Sequence, residues 1–581
     1  MSDESPRERR ARRGYSLTYR GKTLLSLVDP IAQAERLIDG LAPWELERTL
    51  FLVPSPLYGY GLETLLRRMG PDSAALCVEL DPRLLALSGE AMASLIREEE
   101  EGAEPPAPEP PRACGPAGSP ATPNAGGNPP RNAPPAAPRL LLTGDMGAEG
   151  LCALVRRVWG PRRFRRLKTL RLSGGWQLAE QGYAALERAL EGEIAGAWGN
   201  ALTLVRLGRR YILNFIRNLA LIPRGLDAGR GILGGAPALV LGAGPSLDAV
   251  LEEFSARIPG ISRREGRAFR IIAVDTALRC LLERGIEPDL VVALESQHWN
   301  LRDFSGPAVP LAMDMSALPA TERFSAGAPM LFFTPWTALG LLRRLAGAGF
   351  LPAEIPPLGS VGLSATALAL RLGSGPVLLG GLDFSFSLDQ LHARSAPGSL
   401  EKLVSLTRLR SPLNAEAAFR GGVTPLPSRG GPPVLSGGAL KRYRDLFERE
   451  FSGDPRLFAL GGSGLPLGLP LLEAGDALAL LRGPPSAAVP RPLLPESRRA
   501  EFRAFLGRER DLLLEMRGIL TGPGSGGERL AALLGECDYL WAHFPDHAGA
   551  AGVPAGDSFL RRVRAELDPF IRQWELTLKA M

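Results

Sequence analysis

The clearest pattern of apolar and polar positions lies in the middle of the chain. Ala238, Leu239, Val240 and Leu241 run without interruption into Gly242, Ala243, Gly244, Pro245 and Ser246. Such a run, ended by glycines, predicts a buried parallel strand, a tight turn and the start of a helix, with Pro245 at the first helical position. Arg270–Asp275 is a second short apolar strand closed by a carboxylate. Thr276–Gly285 is a helix with a glycine stop, and Leu290–Leu294 a third strand ending at Glu295 and Ser296. Strand, helix, strand at this spacing makes a right-handed βαβ unit. Gly242, Asp275 and Glu295 are then expected at the carboxyl edge of one parallel sheet, where open α/β sheets bind ligands.

The same pattern recurs more weakly upstream. Leu50–Val53 is a strand, 54–61 a glycine-containing turn, Leu62 opens a helix, and Ala74–Glu79 is a strand ending in an acid. This predicts a smaller Rossmann-like unit without a proper glycine fingerprint. Residues 102–138 are rich in Pro, Ala and Gly and hold few large apolar side chains, so a disordered insertion is expected there. Strand character returns at Leu140–Thr143, and Trp198–Arg217 reads as an amphipathic helix. After a proline-rich linker, apolar residues recur at spacings of three and four from Glu496 to the end, which predicts an antiparallel helical bundle. The expected organisation is an α/β chain. A Rossmann-like N-terminal domain spans 14–205, a parallel-sheet domain 206–482, the linker 483–495 and a helical domain 496–581.

Composition narrows the functional classes. A chain of 581 residues is too long for one ordinary domain. The net charge of +6 is slight, and Arg7 to Arg13 is a short basic run that reads as a solvated tail. No basic stripe is interleaved with aromatics, so no nucleic-acid partner is expected. No apolar run is long enough to span a bilayer and the charged N-terminus lacks a secretory core segment, so a cytoplasmic protein is expected. The five cysteines, Cys77, Cys114, Cys152, Cys280 and Cys537, form no CxxC pair, which speaks against a disulfide framework or a zinc site. His543 and His547 flank Pro545, which argues against the continuous helix a metal pair would need. No metal site is expected.

A glycine turn at a helix start exposes N–H groups that suit a phosphate, although such a turn also ends many α/β strands with no ligand at all. Asp275 reads equally as a helix N-cap, and Glu295 as a solvated loop acid.

The ordered motifs carry a resemblance. Residues 242–248 (GAGPSLD) and 273–296 (AVDTALRCLLERGIEPDLVVALES) are similar to the core of the motility-associated factor (Maf) glycosyltransferases, within the wider 6-hydroxymethylpterin pyrophosphokinase MptE-like family. Gly359–Leu368, Pro376–Phe384, Leu391–Arg394, Ser436–Tyr443 and Arg456–Ser463 follow in the family's order, and Asp29–Arg36 and Pro56–Glu63 fit its N-terminal part. The core also resembles bacterial sialyltransferases acting on CMP-sugars, at Gly242–Leu247 and Gly380–Phe384, with Ala243 where those enzymes carry Asn.

The resemblance implies a nucleotide-sugar site with no metal requirement and no further cofactor. The nucleotide would lie over Gly242, Ala243, Gly244, Pro245 and Ser246, with Asp275, Thr276, Glu295, Ser296 and Gln297 as candidates for ribose and base. Ser360 and Ser364, at a glycine-rich helix start, would hold a donor phosphate or carboxylate. His392 would deprotonate the acceptor, with Asp383 orienting it or touching the donor; the other reading of His392 is a loop histidine. The expected function is transfer of a nonulosonic (sialic-acid-like) sugar from a CMP donor to Ser or Thr of flagellin. One alternative is an ATP-dependent pyrophosphokinase with Mg²⁺ on Asp248, Asp275, Glu295 and Asp383. Another is a non-catalytic flagellin-binding scaffold.

Overall fold

The computed structural model describes residues 5–101, 137–160, 163–228, 233–258, 261–264, 267–304, 306–334, 339–409, 415–482, 491–522, 527–545 and 556–581. Nearly all of the expected insertion, most of the linker, Cys114 and His547 lie outside these residues. The chain forms two compact units. One is Met1–Val205 with Phe544–Ala551, and the other is Arg206–His543 with Gly552–Met581.

The first unit opens with a small antiparallel sheet of β1 (Arg7–Arg10), β2 (Tyr15–Tyr19) and β3 (Lys22–Thr23). The arginine run was expected as a free tail. Instead it pairs residue for residue with β2, Arg7 opposite Thr18 and Arg10 opposite Tyr15. Strand pairing uses backbone groups, so charged side chains remain exposed on an edge strand that carries no apolar period. A parallel four-stranded sheet follows, made of β4 (Thr49–Pro54), β5 (Ala74–Val78), β6 (Leu140–Thr143) and β7 (Arg166–Thr169) in the order β6-β5-β4-β7. Every residue of β4 and β5 is buried, as expected of inner strands covered on both faces.

Helix Glu180–Asn218 carries the chain into the second unit. It starts well before Trp198, where the sequence reading began it: Tyr183, Leu186, Leu190 and Ile194, at spacings of three and four, are all buried.

The second unit is built on nine parallel strands. They are β8 (Ala238–Leu241), β9 (Arg270–Val274), β10 (Leu290–Ala293), β11 (Leu311–Asp314), β12 (Met330–Thr334), β13 (Ala353–Glu354), β14 (Val377–Gly380), β17 (Leu457–Leu460) and β18 (Leu471–Leu472). A separate hairpin, β15 (Thr424–Leu426) with β16 (Val434–Ser436), lies between β14 and β17 in the chain. The sheet order is β13-β12-β11-β10-β9-β8-β14-β17-β18. The chain therefore steps outward from β8 on one side and returns to pair β14 with the other side of β8, Leu379 opposite Val240. That reversal is a topological switch point at the carboxyl ends of β8 and β14, the place where open α/β sheets bind ligands.

The helices after 496, expected as a separate bundle, pack into this second unit. Arg344 forks onto buried Glu509 with two contacts of 2.7 Å, and Thr577 donates to the Ile216 carbonyl at 3.1 Å. Helices Arg499–Thr521 and Asp557–Ala580 bury Phe502, Phe505, Leu513, Val563, Phe570 and Trp574.

Candidate functional site

The site is the carboxyl edge around the switch point. After β8 the chain makes its glycine turn, and Ser246 caps helix Leu247–Arg257. Pro245 thus lies before the cap, not at the first helical position. The turn passes so close to the end of β14 that side chains are excluded. A Cβ on Gly242 would sit 2.5 Å from the Gly381 carbonyl, and one on Gly244 would sit 2.5 Å from Asp383 Oδ2. Gly381 itself is left-handed, at φ +69°. The glycines serve this close approach of two backbones.

That approach also engages most of the turn's donors. The Gly242 and Gly244 amides donate to the carbonyls of Gly380 and Gly381, both at 2.8 Å, and the Leu247 amide donates to Gly244 at 3.0 Å. The Ser246 amide donates to Asp383 Oδ2 at 2.7 Å, and Ser246 Oγ to Oδ1 at 2.5 Å. Pro245 has no N–H. The Gly242, Gly244 and Ser246 amides, expected to cradle a phosphate, thus bond to protein, because the neighbouring turn after β14 lies against them.

Asp383 is correspondingly a structural centre. It is 3% exposed and bonds Ser246 and Arg429, whose Nη2 donates to Oδ1 at 2.8 Å. Burial pushes its carboxyl up while Arg429 and Ser246 pull it back. Its bonds run to these two residues and not to His392.

His392 is nevertheless brought to the turn. The Ala393 amide donates to the Ala243 carbonyl at 2.9 Å, while Gln390 Nε2 and the Arg394 amide both bond Asp248 Oδ2, at 2.6 and 3.0 Å. The residue is solvent-accessible yet set among many protein atoms. That crowding, and then the charge of Arg302, hold its pKa below the ordinary histidine value. A neutral imidazole at neutral pH is able to accept a proton.

Next to it, the ends of β9, β10 and β11 each present an acid. Asp275 is buried and accepts from the Thr276 amide and hydroxyl, at 2.8 and 3.2 Å. Asn300, its amide nitrogen turned to the acids, bridges Asp275 (3.0 Å) and Asp303 (3.1 Å). Burial, and then Asp303, pushes Asp275 up to about 7; burial also raises Asp303 to about 6 and Asp314 to about 7. Glu295 caps its own turn through the Gln297 amide at 2.9 Å, and Ser296 is buried. Tyr211 is pushed up to about 12 by burial and by its acidic neighbours Glu295 and Asp314.

Two asparagines hold these loops from outside the sheet. Asn214 donates to the Ser296 and Ser316 carbonyls, both at 3.1 Å, and Asn218 to those of Met315 and Ala317, both at 2.9 Å. Helix Val361–Arg371 begins at Ser360, with Gly362 packed on Leu382 and Gly359 against Tyr443. Ser364 is only 1% exposed, so of the two serines Ser360 is the accessible one.

Asn300, Asp303, Asp314, Tyr211 and Arg429 were not legible as site residues. Arg429 sits in a Pro- and Gly-rich stretch with no period, and the others become neighbours only through the sheet order. The four carboxylates considered for Mg²⁺ do not converge. Asp248 engages Gln390 and Arg284, Asp275 Asn300, Glu295 its own loop and Asp383 Arg429. Among the described residues no three His, Cys, Asp or Glu side chains are grouped to hold a metal ion.

These features match known proteins in two steps. Residues 213–389 match the family described as 6-hydroxymethylpterin diphosphokinase MptE-like, so the second unit carries an MptE-like domain. The fold is that of a Maf glycosyltransferase. The structure of the enzyme from Magnetospirillum magneticum AMB-1 superposes with a TM-score of 0.50 at 16% identity, covering 97% of this chain and 90% of that one. An uncharacterized protein of Treponema pallidum (strain Nichols) is 29% identical over 615 aligned positions, covering 98% of this chain and 94% of the relative. The chain is therefore Maf-like in fold, with an MptE-like domain at its centre. No described helix is long and apolar enough to cross a membrane.

Proposed function

We infer that the protein is a glycosyltransferase that moves a nonulosonic sugar from a CMP-activated donor to a Ser or Thr hydroxyl of flagellin. The observation that carries this reading is the tie between Ala393 and Ala243, which fixes His392 beside the glycine turn at the switch point. In the reaction, the acceptor oxygen bonds the anomeric carbon as the bond from that carbon to the CMP phosphate breaks. The electron pair leaves with the phosphate. His392, neutral because its pKa is lowered, takes the acceptor proton. Asp275 and Asp303, held by Asn300, offer acceptor oxygens for ribose and base, and Ser360 a hydroxyl at a helix start for the donor's anionic group.

The MptE-like match supports a second reading, diphosphate transfer from ATP to a pterin alcohol. A thermal-shift screen with CMP, CMP-sialic acid, UDP-sugars and ATP, each with and without Mg²⁺, separates the two. Ligand at a hundredfold over its dissociation constant adds about 2.7 kcal/mol of stability. The transferase predicts a shift with CMP that survives EDTA. A shift only with Mg²⁺ and ATP would overturn it in favour of the diphosphokinase, and no shift at all would favour a non-catalytic role.

A further inference from the structure

The β15–β16 hairpin reaches the switch point through one side chain. The loop between its strands is largely exposed, yet the side chain of Arg429 is only 5% exposed. Its Nη2 donates to Asp383 Oδ1 at 2.8 Å, to the Leu382 carbonyl at 3.2 Å and to the Ser463 carbonyl at 3.3 Å. The Arg429 amide donates to the carbonyl of Gly464, a left-handed glycine (φ +126°) whose Cβ would lie 2.8 Å from Asp383 Oδ1. One guanidinium thus joins the turn after β14, the turn after β17 and, through Asp383, the turn after β8.

The chemistry of Asp383 explains why a cation belongs there. Three donors point at its two oxygens: the Ser246 amide, the Ser246 hydroxyl and Arg429. An ionised carboxylate accepts all three, whereas a protonated one must turn a hydrogen toward one of them. Stability alone is a poor reason for the arginine. Its Nε and Nη1 are buried without partners among the described residues, and a buried ion pair of this kind returns little net stability.

We propose that Arg429 is the positioning residue of the switch point: it keeps Asp383 an acceptor on both oxygens, and Asp383 in turn fixes the Gly242–Ser246 turn on which the nucleotide rests. The last clause rests on the transferase reading; the setting of the turn does not.

The test uses the full chain with R429M, R429K and the double variant D383N/R429M, which removes both charges and so avoids an uncompensated carboxylate. Two readouts are taken, amide hydrogen exchange and the dissociation constant for CMP. In R429M the amides of Gly244, Ser246 and Leu247 should exchange about tenfold faster or more, while those of 499–521 do not change. CMP should bind about tenfold more weakly, with R429K restoring part of both. The double variant should keep its melting temperature and still exchange fast at Ser246. Unchanged exchange at these amides in R429M, or equal acceleration throughout the second unit, would overturn the proposal. If the unaltered chain fails to bind CMP, the transferase reading falls while exchange at Ser246 still decides the role of Arg429.

Discussion

The two parallel sheets end their central strands in the same way and differ in what happens next. After β4, Ser55 Oγ donates to buried Glu79 at 2.6 Å; after β8, Ser246 Oγ donates to buried Asp383 at 2.5 Å. In the first unit the acid's other partners are neutral, the Tyr183 hydroxyl at 3.2 Å and the Asp81 amide at 3.0 Å. In the second a guanidinium meets it. The turns differ too. The first forces Ser55 and Leu57 into left-handed backbone (φ +51° for both), whereas the second places glycines where two backbones nearly touch. A serine and a buried acid at a strand end are thus common equipment of the fold. What singles out the second edge is the guanidinium that meets the acid and the histidine segment tied to the turn.

The sharpest way to break this comparison is at His392. H392A should lower the rate of sugar transfer by about 10²–10⁴-fold with little change in melting temperature, the range expected for losing a general base. Equal activity in the two proteins would remove the histidine from the chemistry. The pH dependence sharpens the same point. The lowered pKa of His392 keeps the basic form at neutral pH, so the rate should fall only as pH drops below the ordinary histidine value of about 6.5.

The acids give the next largest contrast. D383N leaves Arg429 buried without its counter-charge and should cost about 3 kcal/mol or more, read by denaturant unfolding. E79Q replaces an acid whose pKa burial already raises, and no cation is stranded, so its cost should stay near 1 kcal/mol. Equal costs would mean that the charge at the second edge does not matter.

A further contrast lies in pH-dependent stability. Asp275 sits at about 7 in the folded chain, and an unfolded aspartate near 4. A group raised on folding stabilises below its unfolded pKa, and that stability is lost as pH rises through the folded value. The unaltered chain should therefore lose up to roughly 2–4 kcal/mol from this group between about pH 4 and pH 8, and D275N should show a flatter profile. Parallel profiles would show that Asp275 titrates normally.

Much of the sheet was legible because its strands are continuous apolar runs ended by glycine or acid, and β8, β9, β10, β4, β5 and β6 fall where those runs lie. The βαβ reading also placed Gly242, Asp275 and Glu295 on one edge. The chemistry of that edge was less legible, for a physical reason. The glycines announced backbone proximity, but nothing local says whether a ligand or a second protein turn is the neighbour. Here it is the turn at Gly381. Asn214 and Asn218 share one face of a helix and grip loops after β10 and β11, about a hundred residues downstream, contacts that no helical period encodes. The arginine run at the start pairs as a strand through backbone alone, which hydropathy does not register.

The internally bonded glycine turn bears on how ligand specificity changes in such a protein. A loop whose Gly242, Gly244 and Ser246 amides already bond protein partners has little backbone freedom left to lose when a ligand arrives, so it acts as a rigid anvil rather than a closing hand. An anvil is indifferent to what is laid on it. On the transferase reading, selectivity is then to be sought in side chains of the neighbouring strand-end loops and helix start, such as Asp303, Tyr211 and Ser360. Those are the positions at which a change of substrate should be sought, with the turn left untouched.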